Sequence, residues 1–295
     1  MNTKNKLKIT FLITLGLILF SSCSLGKGSG GSDTTGETAL PTETSAPSAA
    51  LVNGEGILLS EYESDLLRYK AAMDQLGQPF VPEIAKQDVL NDLIAQTLFS
   101  QSAAVQAYSH TEADIQQKID QYAEASGGQD ALQAWMQENS YNQDSFRMAV
   151  SRDMAVIWMR NTLLDQVPET AEQVHARQIL VDTENEAVGI LRQLEAGTAF
   201  VTLAFQYDPD TGGDLGWFPR GYLLQPDVEN AVQSLQPGQF SGIIPTNYGF
   251  HLVELIESDP KRPLSQDALI FVQRNSLEAW LEAQLAKSTI EILVP

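Results

Sequence analysis

The hydrophobic pattern changes period twice along this chain, and that limits the folds open to it. From about Leu51 to Val167 apolar residues recur at helical steps, as in Tyr62, Leu66, Tyr69, Met73 and Leu76. Val89, Leu90, Leu93, Ile94 and Leu98 mark a second helix; Ile115, Ile119 and Tyr122 a third; Leu132, Trp135 and Met136 a fourth; Phe146, Val150, Ile157 and Leu164 a fifth. Residues 174–257 instead carry short strand-like runs, Val174–Val181, Phe240–Ile244 and Phe250–Ile256, punctuated by Gly and Pro. The helical period returns from Leu264 to Lys287 with Leu269, Val272, Trp280, Leu281 and Leu285, and Ile290, Ile292 and Val294 then alternate as in a short strand. Such a chain is α+β: a small sheet-bearing insert between helical segments.

Local signals place the element ends. Ser60–Glu63 and Thr111–Asp114 have capping-box spacing, and Gly127-Gly128 ends the third helix. Thr183–Glu186 predicts a helix with Ala187, Ile190, Leu191 and Leu194 inward and Gly197 at its end; Phe200–Tyr207 predicts a short one. Pro226 opens a helix whose inner face is Val228, Ala231, Val232 and Leu235. If the run Gly212-Gly213-Asp214-Leu215-Gly216 carries the second strand, the insert is β-α-α-β-α-β plus a final strand, with its helices on one side of the sheet.

Charge and cysteine content narrow the function classes. The chain has 18 Lys and Arg against 38 Asp and Glu, a formal net charge of -20. No basic patch follows the first few residues, so nucleic acid is not an expected partner. With 1 cysteine there is no internal disulfide framework, and stability must come from packing.

That cysteine has a telling context. Lys4, Lys6 and Lys8 precede the apolar run Ile9–Phe20, which has the length of a signal-peptide core and is short for a spanning helix. Ser21-Ser22-Cys23 follows and resembles a bacterial lipoprotein lipobox, although Phe20 stands where an aliphatic residue is usual. The resemblance implies lipidation of Cys23, cleavage before it, and an extracytoplasmic chain held to the membrane by lipid alone. Cleavage removes three lysines and no acid, so the mature chain has no electrostatic hold on an anionic bilayer. The expected organisation is a signal peptide over 1–22, a lipidated Cys and Gly/Ser/Thr-rich tether over 23–50, a helical module over 51–168, the α+β insert over 169–258, and a segment over 259–295 whose helix packs back on the helical module because it cannot bury its Trp280 face alone.

Three stretches of the insert, in order within about 80 residues, carry a further resemblance. They are Val174-His175-Ala176-Arg177-Gln178-Ile179-Leu180-Val181, Gly212-Gly213-Asp214-Leu215-Gly216-Trp217-Phe218 with Arg220-Gly221, and Thr246-Asn247-Tyr248-Gly249-Phe250-His251. Together they resemble the parvulin (PpiC, rotamase) family of peptidyl-prolyl cis/trans isomerases, and the helical flanks resemble, more loosely, the chaperone modules of PrsA- and SurA-type foldases. The resemblance implies rotation of X–Pro bonds in unfolded or partly folded exported polypeptides, chemistry that needs no nucleophile, metal or cofactor. A chaperone that binds clients while its parvulin fold has lost catalysis is the alternative.

The resemblance also implies a site. The family's hydrogen-bonded histidine pair maps to His175 and His251, two of the 3 histidines, with Thr246 completing the network. The accompanying acid is Asp210 by counting from Tyr207, or Asp208 by matching the Asp-Pro pair. The proline pocket maps to Leu215, Phe218, Leu223 or Leu224, and Val228, where the family commonly has Phe at the last place. The acidic Asp182-Thr183-Glu184 loop argues against phosphoserine-proline specificity.

Overall fold

The computed structural model describes residues 46–295, so the signal segment, Cys23 and most of the tether lie outside the described residues. The chain divides into two compact units, one reaching to Leu163 and including Leu277–Pro295, the other Leu164–Ser276.

The first unit joins its ends through a sheet. β1 (Ser48–Val52) pairs antiparallel with β2 (Glu55–Leu58) on one side and with β7 (Ile290–Ile292) on the other. The last residues assigned to the tether, Ser48–Ala50, are therefore a central strand, in which Ala49 and Ala50 are fully buried. Small side chains fit here because helices cover the sheet, a tertiary reason invisible in local composition.

Five helices follow: α1 (Leu59–Gln75), α2 (Pro82–Val105), α3 (Glu112–Ser126), α4 (Gln129–Glu138) and α5 (Gln143–Leu164). α1 starts after Leu58 without a side-chain cap, so the Ser60–Glu63 box does not form. Thr111 and Asp114 do cap α3 reciprocally, and Gly127 closes it in the left-handed region at φ 96°. Ile115, Ile119, Leu132, Met136, Phe146 and Val150 form one core across α3, α4 and α5. Within this unit Phe99 of α2 packs against Trp280 of α9 (Gln266–Leu285), with ring centroids 4.3 Å apart and ring planes tilted by 31°. Full burial of such aromatic and aliphatic side chains stabilises by about 1.5–3 kcal/mol each. His110, outside the insert and read from sequence as solvated surface, is half-buried with Nε2 2.7 Å from the Ser151 hydroxyl.

The second unit contains β3 (Thr170–Val181), α6 (Glu184–Glu195), α7 (Phe200–Tyr207), β4 (Asp214–Pro219), α8 (Pro226–Gln233), β5 (Ile244–Thr246) and β6 (Gly249–Pro263). Its antiparallel sheet has the order β4-β3-β6-β5. The predicted strand Phe240–Ile244 is reduced to a single bridge from Phe240 to Glu254, and regular pairing begins only at Ile244. Alternation along β3 and β6 gives the sheet two apolar faces. On one, Ile179, Val181 and Leu252 pack on α6 and α7; on the other, Val174, Ala176, Phe218, Val253 and Leu255 pack on Val228 and Val232 of α8. The helices thus lie on both sides of the sheet rather than on one, because each face is too apolar to leave in water.

Three carboxylates sit between helices of the first unit: Asp65 on α1, Asp92 on α2 and Asp153 on α5. Asp65 pairs with Arg68, and Asp92 accepts a 2.8 Å hydrogen bond from Gln96. Burial pushes Asp92 and Asp153 up to about 6; Asp65 repels both, while Arg152 and Lys118 partly offset the effect at Asp153. These values lie above the ~4 of an unfolded Asp. The folded unit therefore binds more protons between about pH 4 and 6, and its stability falls as pH rises through that window. Urea unfolding followed by far-UV circular dichroism should find it more stable at pH 5 than at pH 7.5 by about 1–3 kcal/mol. Asp92→Asn should remove much of the difference; equal wild-type stability at the two pH values would contradict it.

Candidate active site

The α8 face of the sheet gathers the polar groups of interest. His251 alternates with Val253 and Leu255, so its ring points to that face, where it is 3% exposed. Gln178 alternates with Val174 and Ala176 on β3 and pairs with Val253, which makes it a diagonal neighbour of His251. Its Oε1 lies 2.9 Å from His251 Nδ1. The other ring nitrogen, Nε2, is 3.0 Å from Thr246 Oγ1, supplied by β5 across the Thr246-to-Gly249 turn. Burial pushes the His251 imidazole below its ordinary range, so the ring is neutral at pH 7.

His175 does not join this group. On β3 it is an odd number of residues from Gln178, and it faces away from Val174 and Ala176. It pairs with Glu257, whereas His251 pairs with Leu180. Five residues of strand at about 3.3 Å each separate the two positions by roughly 16 Å. The expected His175–His251 pair is thus replaced by Gln178–His251. His175 instead sits 2.7 Å from Asp214 Oδ1 and against the Trp217 ring, which Arg262 covers from 3.9 Å. The signal for Gln178 was present in the sequence: period two puts residue 178, not 175, on the face of Ala176, but only the β3–β6 register shows which position lies beside His251.

Asp208 organises a loop. Its carboxylate accepts from the Thr211 hydroxyl and from the backbone N–H groups of Asp210, Thr211 and Gly213, at 3.1–3.2 Å for the backbone donors. The Thr211 hydroxyl bond, with the backbone donors, holds its carboxyl below the usual carboxylate range. Asp210 is exposed and enters this network through its backbone. The hydrogen bonds of the Asp208 carboxylate all come from within its loop. That loop nevertheless touches the site, because the Gln178 N–H donates to the Gly213 carbonyl at 2.8 Å.

The predicted pocket residues separate by depth. Phe218 and Val228 are 0% and 2% exposed, so they form the floor of the α8 core. Leu215 and Leu223 are half-buried at its edge, with Tyr222 and Ile244. Leu224 is 94% exposed and outside the cluster, whereas Leu223 packs against it. Glu229, buried on α8, missed from sequence, receives the N–H groups of Gly221 and Leu223 and so fixes this edge. The arrangement offers an apolar rim beside a neutral, hydrogen-bonded imidazole. Among the described residues no cluster of three or more metal-ligating side chains occurs.

Comparison with known proteins places these observations. Residues 163–257 match the PPIC-type PPIase domain family, and residues 1–160 match the SurA-like N-terminal domain family. The Foldase protein PrsA of Caldanaerobacter subterraneus subsp. tengcongensis is 29% identical over 224 residues, 70% of this chain and 72% of that protein. The Foldase protein PrsA of Geobacillus kaustophilus is 27% identical over 204 residues, 65% of this chain and 70% of that protein. Among solved structures, that of the peptidylprolyl isomerase PrsA from Bacillus cereus superposes with a TM-score of 0.46 at 19% identity, covering 73% of this chain and 80% of that one.

Gly213 is the tightest backbone approach at the site. Its φ is +66°, and a Cβ there would lie 1.8 Å from the Gln178 carbonyl oxygen. Gly213→Ala should therefore cost the sheet unit about 2 kcal/mol or more and shift the amide resonance of Gln178. A wild-type melting curve for this variant would refute the close approach.

Proposed function

The chain belongs to the SurA-like N-terminal domain family and carries a PPIC-type PPIase domain, and on that premise we propose that it is a peptidyl-prolyl cis/trans isomerase assisting the folding of exported proteins. The observation that carries this is the apolar rim of Leu215 and Leu223 on the same sheet face as buried His251 and its half-buried partners Thr246 and Gln178.

Rotation about an X–Pro bond faces a barrier of about 18–20 kcal/mol because amide resonance must be broken. The planar amide is the charge-separated, water-stabilised form. A notch that takes the pyrrolidine ring and strips water from the carbonyl raises the planar state relative to the twisted one. No bond is made or broken with the protein. His251, neutral through burial, adds a fixed dipole at the polar edge without adding a charge that would favour the planar form. In this reading Asp208 shapes the loop that holds Gln178, and Asp210 is the exposed acid able to approach a bound chain.

Lipidation at Cys23 and a place at the outer face of the membrane complete the proposal, and the named foldase relatives support an extracytoplasmic role. No helix among the described residues is long and apolar enough to cross a membrane. Clients would be unfolded or partly folded exported polypeptides containing X–Pro bonds.

A holdase role has its own support. The first unit contains a groove of about 310 Å³ lined by Leu98, Val105, Met159 and Trp280 together with Gln101 and Gln106, and Val105 is 88% exposed. A lining of mixed apolar and amide or hydroxyl side chains suits an extended chain of mixed sequence.

NMR exchange measurements on an Ala-Pro peptide should show catalysed isomerisation, with kcat/KM falling at least about tenfold in His251→Ala, a loss of about 1.4 kcal/mol of transition-state stabilisation. Equal rates for the two proteins, both at the uncatalysed value, would leave client binding alone. Val105→Glu should weaken suppression of client aggregation about twofold or more while leaving peptide isomerisation unchanged; loss of both would reject the division of labour.

A further inference from the structure

How His251 is held has a chemical consequence that rests on the isomerase reading. A neutral imidazole carries one proton, and its two nitrogens must act as one donor and one acceptor. Gln178 Oε1 is an acceptor 2.9 Å from Nδ1, so Nδ1 carries the proton. Nε2 is then bare and requires a donor, and the hydroxyl of Thr246 stands 3.0 Å away. The Tyr248 N–H already donates to that hydroxyl oxygen at 3.1 Å, which leaves the hydroxyl proton free to be given away. Its alternative acceptor, the Gly249 carbonyl, is farther at 3.2 Å.

We propose that Gln178 is a positioning residue that locks His251 in the Nδ1–H tautomer, so that hydrogen bonds run in one direction from Thr246 through His251 to Gln178. The backbone that carries the glutamine is itself fixed, since the Gln178 main-chain N–H donates to the Gly213 carbonyl and Gly213 is tied to the Asp208 carboxylate. A carboxamide does not titrate in the accessible range. The partner of His251 therefore keeps its donor pattern at every working pH, unlike a second imidazole, which would change it near neutrality. Protonation of His251 would break the arrangement, and burial moves that event to lower pH. As long as His251 stays neutral, its partner therefore adds no titration of its own to the pH dependence of turnover.

The opposite amide orientation would reverse each donor, which makes the tautomer a direct test. Long-range 1H–15N NMR of the full mature chain at pH 7.5, with His251 assigned by its loss in His251→Ala, should show a protonated Nδ1 and a bare Nε2. Gln178→Leu should shift the ring toward the Nε2–H form and lower kcat about fivefold or more, with KM within about twofold. Gln178→Glu should keep the Nδ1–H tautomer, restore most of the rate, and raise the pH at which activity is lost by about one unit, because a carboxylate favours the imidazolium. A bare Nδ1 in the wild type overturns the proposal, as does a Gln178→Leu protein with unchanged tautomer and rate. If Gln178→Leu does not fold, the Gln178→Glu pH profile decides: no upward shift overturns it. An inactive wild type would remove the isomerase reading, while the imidazole spectrum would still decide the tautomer.

Discussion

The pairing of β3 with β6 is the constraint on which the second unit depends. Its register runs from Thr170 opposite Pro263 to Val181 opposite Phe250, interrupted by irregularities at Ala171/Gln173 and His175/Ala176. Because side chains alternate, this one register assigns Ile179, Val181 and Leu252 to the α6 and α7 face, and Val174, Ala176, Val253 and Leu255 to the α8 face. It also decides which polar groups share a face with His251. A slip of one residue would send His251 into the core under α6 and α7 and leave its two hydrogen-bond partners behind.

That dependence explains what could be read from the chain. The helical stripes, the Thr111–Asp114 and Thr183 caps, and Pro226 at the start of α8 are local, and local chemistry is enough to place them. The motif order and the β-α-α-β-α-β-β sequence of the insert were legible for the same reason. His175 was misplaced because a motif gives position along the chain but not parity across a sheet, and an offset of three residues inverts the face. The strand Ser48–Val52 was hidden because its partner Ile290–Ile292 lies at the other end of the sequence. Alanine and serine carry no strand signal of their own.

The loop from Asp208 to Gly213 shows how a short segment can govern a site it does not enter. Four hydrogen bonds converge on one carboxylate, and the last of them positions Gly213. Positive φ and the absence of a Cβ let Gly213 lie against Gln178, so the loop fixes the strand residue that fixes the imidazole. An acid expected from family resemblance to act on substrate is, in this chain, engaged in building the frame. Its low carboxyl pKa follows from donors already in place rather than from a catalytic demand.

Keeping His251 neutral suits the chemistry of bond rotation. A cation beside the carbonyl would strengthen the charge-separated planar amide and so raise the barrier to twisting, whereas an uncharged, oriented imidazole in an apolar setting does not. Burial supplies the neutrality, and Thr246 and Gln178 satisfy both nitrogens so that burial costs little. The same buried pair would be expensive if either partner were lost, since one ring nitrogen would then face the core without a bond. The geometry that would orient the ring for catalysis therefore also stabilises the sheet, and substitutions there must be judged on tautomer and rate together with folding.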